Sequence, residues 1–223
     1  MNGGSESGTT APPRVVQRVD LGLVPYQQAL DEMTQWVLAR RAGEVGDRLY
    51  LLEHPPVITY GRVTPLADLP VREDIPLVAV DRGGLATYHA PGQLIGYLVV
   101  GLNGRGPVDI VHWVETGLVR ALATLGFETV RRETPAGAAS LVGVWTPDHR
   151  KIASIGLRIR GGVTSHGFAL NVDPDMRPFR EFVACGLPDV AMVSLRELAD
   201  EQGLPLPSPA AVRDAVAEAL SVL

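Results

Sequence analysis

The chain has 223 residues, 46% of them hydrophobic, and a formal net charge of −5. That composition allows one large core-bearing domain and speaks against a nucleic-acid binder, which needs a basic footprint. A single cysteine, Cys185, cannot close an internal disulfide, so a reducing, cytoplasmic setting is expected. No apolar signal core opens the chain and no run nears the ~18 residues of a membrane span.

Residues 1–13 are polar and rich in Gly, Ser and Thr, and are expected to form a disordered tail before one domain over 14–223. Val15, Val16 and Val19 predict a short strand. From Tyr26 the spacing of Ala29, Leu30, Met33, Trp36 and Val37 predicts a helix ending near Gly43. Strands follow at Leu49–Leu52, Val57–Tyr60, Leu77–Val80 and Leu94–Val100, with an irregular, proline-punctuated stretch over Pro65–Pro76. Val108–Leu125 has helical periodicity and stops at Gly126. Further strands are predicted at Thr129–Arg132, Leu141–Trp145, Ile152–Arg160 and Gly167–Val172. Ser194 with Glu197 forms a capping box before a short helix, and Ser208-Pro209 opens a last helix toward Leu220. Strands outnumber helices without alternating with them, which predicts an α+β fold on a mixed or antiparallel sheet.

The chemistry-bearing residues are few. G-x-S-x-G, phosphate-loop and H-E-x-x-H patterns are all missing, and five scattered histidines beside a lone cysteine predict no metal and no cofactor. Lys151 is the only lysine among 20 basic residues. Arginine never gives up its proton, whereas a lysine can, so the one retained lysine marks a place where a neutralisable amine is useful. Strand alternation from Lys151 would turn Lys151, Ala153 and Ile155 to one side and Ile152 and Ser154 to the other. Cys185 precedes a glycine in a predicted loop, where a thiol can meet a substrate.

Four segments, in order, carry a resemblance. They are R-G-G-x-x-T-Y-H-x-P-G-Q at Arg82–Gln93, K-I-A-S-I-G at Lys151–Gly156, H-G-F-A-L-N-V at His166–Val172 and C-G-L at Cys185–Leu187. Together they resemble the lipoyl(octanoyl) transferase family over Val15 to Leu198, with Ala184 where that family usually has proline. The resemblance implies the fold of the biotin and lipoate protein ligase catalytic domain. It also implies transfer of an octanoyl group from acyl carrier protein to a lysine on the lipoyl domains of 2-oxoacid dehydrogenase E2 subunits and of the glycine cleavage H protein. Cys185 would be the acyl-thioester nucleophile and Lys151 its activating partner and acid–base. Arg82, Gly83, Gly84, Leu85, Ala86, Thr87, Tyr88 and His89, with Ser154, Ile155 and Gly156 and with Gly167, Phe168 and Ala169, would bind substrate. Tyr88, Phe168 and Leu170 are the candidates for an apolar acyl tunnel. An ATP-dependent ligase on the same fold, or a module that only docks carrier protein or lipoyl domain, are the alternatives. Neither gives Cys185 work to do.

Overall fold

The computed structural model describes residues 13–70, 74–187 and 189–223. Most of the predicted tail, and part of the stretch Pro65–Pro76, therefore lie outside the described residues.

The chain opens with β1 (Val16–Leu23), α1 (Tyr26–Ala42) and β2 (Asp47–Glu53). α1 buries Tyr26, Ala29 and Met33 and ends where Gly43 takes a left-handed conformation and donates to the last carbonyls. As the crossover it returns the chain beside β1, so β1 and β2 pair in parallel. A small sheet follows, from β3 (Val57–Gly61), β4 (Leu77–Val80) and β5 (Thr87–His89), in the order β4-β3-β5. β6 (Gln93–Val99) then enters the main sheet and is buried along its whole length, as suits a strand covered on both faces.

α2 (Pro107–Thr124) presents Ile110, Val114, Leu118 and Leu122 at four-residue spacing, all buried, on the main core. Its start is fixed by Pro107 and by the Asp109 carboxylate, which accepts the Gly106 N–H at 2.7 Å. β7 (Gly143–Trp145), β8 (Lys151–Arg160) and β9 (Val163–Asn171) complete the main sheet in the order β1-β2-β6-β9-β8-β7. α3 (Leu195–Gln202) carries the expected capping box, and α4 (Pro209–Ala219) starts at the Ser208 cap and packs on α2.

One face of the main sheet packs on α2 and α4 through Leu49, Leu51, Leu94, Leu98 and Leu170. The other packs on α1 through Tyr50, Leu52, Ile95, Tyr97 and Val99, with Trp36 stacked on Tyr50 at 3.8 Å. Both faces are covered, and the sheet is mixed, parallel at β1–β2 and antiparallel elsewhere, as the α+β expectation had it.

Three local expectations need correction. Thr129–Arg132 is no strand: only Val130 pairs, in a single bridge to Trp145, because β7 is three residues long and Arg131 is drawn to Glu115 at 2.8 Å. Leu141 and Val142 stay outside β7 for the same reason, since Glu115 takes the Gly143 N–H at 2.9 Å and sets where the strand starts. β9 begins four residues before Gly167, because Gly161 and Gly162, both at positive φ, close a tight hairpin out of β8.

Candidate active site

A cavity of about 300 Å³ lies between the small sheet and the strands β6, β8 and β9 of the main sheet, in the size range of small-ligand sites. Cys185 reaches it from a one-turn helix, Ala184–Gly186, with φ 56° and ψ 17° at Cys185 itself. A non-glycine residue in the left-handed region is strained, and such strain persists where surrounding contacts impose it. Here the Cys185 N–H donates to the Ala86 carbonyl at 2.7 Å, and Gly186 sits so close to Leu85 that a Cβ would fall on that side chain. The loop after β4 thereby fixes the thiol, and the Sγ lies 3.3 Å from the Ser154 hydroxyl.

Lys151 opens β8 and is buried, at 2% exposure, contrary to a surface position at a strand end. Strict alternation would have separated Lys151 from Ser154, yet both line the cavity. The β7–β8 register explains this. Val144 pairs with Ala153 but Trp145 pairs with Lys151, so the ladder skips Ile152 and the bulge brings Lys151 into phase with Ser154. The lysine Nζ lies 5.1 Å from the centre of the Trp145 ring, within cation–π range. A Cβ at Gly143 would come within 2.6 Å of the Lys151 Cε, so the absence of a side chain there makes room for the amine. No carboxylate pairs with Lys151 among the described residues.

Arg82 turns inward. Its Nη2 donates to the Thr59 hydroxyl at 2.7 Å and the Thr59 carbonyl at 3.1 Å, and its Nη1 to the carbonyls of Gly83 and Leu85, both at 3.0 Å. Burial pulls its pKa down from the usual arginine value, while the Tyr26 phenol, the Cys185 thiol and the Tyr97 phenol act against that. The guanidinium remains a cation and holds the loop that holds Cys185. Gly83 packs so tightly over β8 that a Cβ on Gly156 would approach the Gly83 carbonyl to 2.8 Å.

Three buried imidazoles lie in this region, and His89 and His166 feel the Arg82 charge. Burial lowers His54 to about 4, His89 to about 3 and His166 to about 4, so all are neutral at ordinary pH. His54 is held by the Val24 carbonyl at 2.6 Å and the Tyr97 hydroxyl at 2.7 Å. His166, with φ 57°, turns its ring against Tyr97, and its backbone N–H donates to the Met33 sulfur at 3.2 Å.

Of the residues the sequence marked, Arg82, Gly83, Gly84, Leu85, Thr87, His89, Ser154, Ile155, Gly156, Gly167, Phe168 and Ala169 line the cavity together with Cys185 and Lys151. Ala86 and Tyr88 do not. Ala86 contributes its carbonyl to Cys185, and Tyr88, flanked in β5 by Thr87 and His89, faces the opposite way onto Phe179 at 5.4 Å. Leu170 lies in the main core, away from the cavity. The apolar wall is instead Ile95, Val111, Val142, Ile155, Leu157 and Phe168, two of which come from α2 and the segment before β7. The Thr87 hydroxyl is buried and has no hydrogen-bond partner among the described residues.

Known proteins resemble this chain in sequence and in fold. Residues 25–221 match the family described as the lipoyl protein ligase A/B catalytic domain. The chain belongs to that family. It is 46% identical over 191 residues to an octanoyltransferase of Frankia casuarinae, covering 84% of this chain and 86% of that one. An octanoyltransferase of Acidobacterium capsulatum is 40% identical over 211 residues, covering 85% and 83%. The resemblance to lipoyl(octanoyl) transferases is thus borne out, and the chain is an acyltransferase. In fold it is similar to a putative lipoate protein ligase from T. acidophilum, with a TM-score of 0.71 at 17% identity over 93% of this chain and 84% of that one. It is also similar to a lipoate-protein ligase A bound with ATP, with a TM-score of 0.66 at 15% identity, covering 93% and 83%. Among the described residues no helix is long and apolar enough to cross a membrane.

Proposed function

We propose that the cavity transfers an octanoyl group from the thioester of an acyl carrier protein to a lysine of a lipoyl domain, with Cys185 as the covalent way-station. The observation that carries this reading is the meeting, in one cavity, of the chain's only thiol and only lysine. Cys185 sulfur attacks the thioester carbonyl, and the bond from that carbon to the carrier's sulfur breaks. Lys151, holding the proton that Cys185 gave up, passes it to the departing carrier sulfur, so the carrier leaves as a thiol and Lys151 is left neutral. Exchange of one thioester for another needs no further activation, so ATP has no role in it. The Lys151 ammonium supports the thiolate in this half-reaction. In the second half the acceptor amine attacks the Cys185 thioester, its proton passes to the now neutral Lys151, and the carbon–sulfur bond breaks to give an amide and the free enzyme. Thr87, whose hydroxyl has no partner among the described residues, is a hydrogen-bonding group for the bound acyl donor. The apolar wall from Val111 to Phe168 receives the acyl chain.

On this reading the acceptors are the lipoyl domains of 2-oxoacid dehydrogenase E2 subunits and the glycine cleavage H protein, and the reaction is the first step of endogenous protein lipoylation. A cytoplasmic, reducing setting suits a nucleophile that must remain a free thiol. Intact-mass measurement after mixing the protein with octanoyl carrier protein tests it. The expected result is one added octanoyl group, without ATP, that hydroxylamine removes and that Cys185→Ser does not acquire. An unmodified mass, or transfer that requires ATP, would overturn the reading and favour a ligase.

A further inference from the structure

Two motif residues, Gln93 and Asn171, carry no role in the chemistry above, yet both are buried polar side chains and they meet across β6 and β9. Gln93 Nε2 donates to Asn171 Oδ1 at 2.8 Å. On one side, Gln93 Oε1 accepts from His89 Nδ1 at 2.7 Å, and His89 Nε2 lies 3.4 Å from the Thr59 hydroxyl, which accepts from Arg82. On the other, Asn171 Nδ2 donates to the Val193 carbonyl at 3.1 Å. Val193 N–H in turn donates to the Lys151 carbonyl at 3.0 Å, and Lys151 N–H to the Ala191 carbonyl at 2.9 Å.

Every link runs in one direction. The Val193 carbonyl can only accept, so Asn171 donates to it with Nδ2 and accepts with Oδ1. Gln93 then donates with Nε2, to Asn171 and to the Tyr88 carbonyl at 3.2 Å, and accepts with Oε1, so His89 carries its proton on Nδ1. A neutral His89 leaves Nε2 to accept from the Thr59 hydroxyl, which itself receives from Arg82. The carbonyl at one end and the cation at the other agree on the direction of every dipole. The same Arg82 fixes the loop whose Ala86 carbonyl holds the Cys185 N–H.

We infer that Gln93 and Asn171 are positioning residues, the middle of a one-way hydrogen-bond chain from Arg82 to the strand that carries Lys151, which fixes the lysine relative to the Cys185 turn. The inference rests on the reading of Lys151 as the base of the second half-reaction. A neutral His89 is a requirement of the chain, and burial keeps its pKa near 3.

The discriminating variant is Asn171→Asp, whose carboxylate still accepts from Gln93 but cannot donate to Val193. Gln93→Glu, whose carboxylate still accepts from His89 Nδ1 but cannot donate to Asn171, breaks the neighbouring link and covers the case in which Asn171→Asp does not fold. Octanoyl loading of Cys185 and its release to a saturating lipoyl domain are timed separately by mass spectrometry. Loading, which uses the charge of Lys151 and not its exact position, should fall at most a few-fold, while release falls by tens of fold with the acceptor KM unchanged, since misplacing a reacting group by ~1 Å costs up to about 10²-fold. In the parent, ¹⁵N-histidine spectra should show His89, identified by its loss in His89→Gln, as the neutral Nδ1–H tautomer. Equal loss in both halves in step with a lowered melting temperature, unchanged release in both variants, or an Nε2–H tautomer at His89 would overturn the inference. A parent chain that forms no Cys185 adduct would instead sink the proposed function, and the tautomer result would still decide whether the chain of hydrogen bonds runs as described.

Discussion

The two sides of the main sheet follow different rules. Beneath α2 and α4 the contacts are almost wholly aliphatic, from Leu49 and Leu98 to Ile110, Leu118 and Val216, with Glu115 as the buried charge at the margin. Between the main sheet and the small one lies a seam of buried polar groups: Tyr26, His54, Thr59, His89, Gln93, Tyr97 and Asn171 around Arg82. The aliphatic side gains stability in proportion to the apolar area it removes from water. The seam gains little, because each polar group brought in must recover in the protein the hydrogen bonds it had with water. Its return is geometric: a cation, a thiol and an amine are held around one cavity. Stability and chemistry therefore reside in different halves of one sheet, and substitutions should separate them.

The widest separation is expected at Lys151. Arginine there keeps a positive charge for Cys185 but cannot take a proton from the acceptor amine. Lys151→Arg should load octanoyl onto Cys185 at a reduced but measurable rate and then stall, with release slowed by roughly 10²- to 10⁴-fold, the span of general-base catalysis. Lys151→Ala should be slow in both halves. Time-resolved intact mass before and after adding the acceptor reads each step. Release at the parent rate in both variants would leave Lys151 as a buried lysine without chemical work.

The seam should also make the fold acid-labile. His54, His89 and His166 titrate at about 4, 3 and 4 in the folded chain and near 6.5 when unfolded. Folded values lie below unfolded ones, so in the window from about 6.5 down to 4 the unfolded chain binds more protons, and stability falls as the pH drops. Each histidine contributes on the order of 2 kcal/mol of loss between pH 7 and 5, and the three act together. Urea titrations at the two pH values check this. A flat profile would mean that the three rings are hydrated or paired in ways the cavity does not display.

Deleting aliphatic bulk should do the reverse. Leu118 is fully buried against the main core on α2. Leu118→Ala should lower stability by about 2–5 kcal/mol and leave loading and release per folded molecule unchanged. If its release rate dropped along with its melting temperature, the two halves of the sheet would be one mechanical unit and the contrast drawn above would fail.

What the sequence made legible follows the same division. Local signals located α1 with its Gly43 terminus, β4 over Leu77–Val80, α2 and the Ser194–Glu197 box, because caps and helical periods lie within a few residues. β5 was hidden. It is only three residues long, and its partner β3 lies about thirty residues back, so no local pattern announces it. Missing β5 also misdirected Tyr88, since without a strand there is no alternation to send it away from the cavity. The Gly161-Gly162 pair was a readable hairpin signal that a strand beginning at Gly167 overlooked. In the site, the motifs marked most of the cavity-lining residues. They could not show the bulge that aligns Lys151 with Ser154, because register belongs to a pair of strands. Val111 and Val142 lie outside every motif, and any aliphatic residue could serve at either position.

The finest test of the contrast uses two neighbours. Val193, whose side chain belongs to the aliphatic core, holds Lys151 through its backbone and is held by Asn171 of the seam. Ser194, the next residue, belongs to α3: its Oγ accepts the Glu197 N–H at 3.2 Å, and the Glu197 carboxylate takes the Ser194 N–H at 2.9 Å. Removing an N-cap hydroxyl costs about 1 kcal/mol, because an otherwise satisfied N–H of the first turn is left without its partner. Glu197 still reaches the Ser194 N–H in Ser194→Ala, so the backbone at Val193 has no cause to shift. Ser194→Ala should thus lower the melting temperature by a few degrees, as ~1 kcal/mol does in a domain of this size, and leave both half-reactions at parent rates. The calorimetric scan and the two mass-spectrometric time courses can be run on one preparation. Release slowed as in Asn171→Asp would place the cap inside the device that positions Lys151, and the boundary between the stabilising and the chemical half of the sheet would then lie at least one residue further into α3.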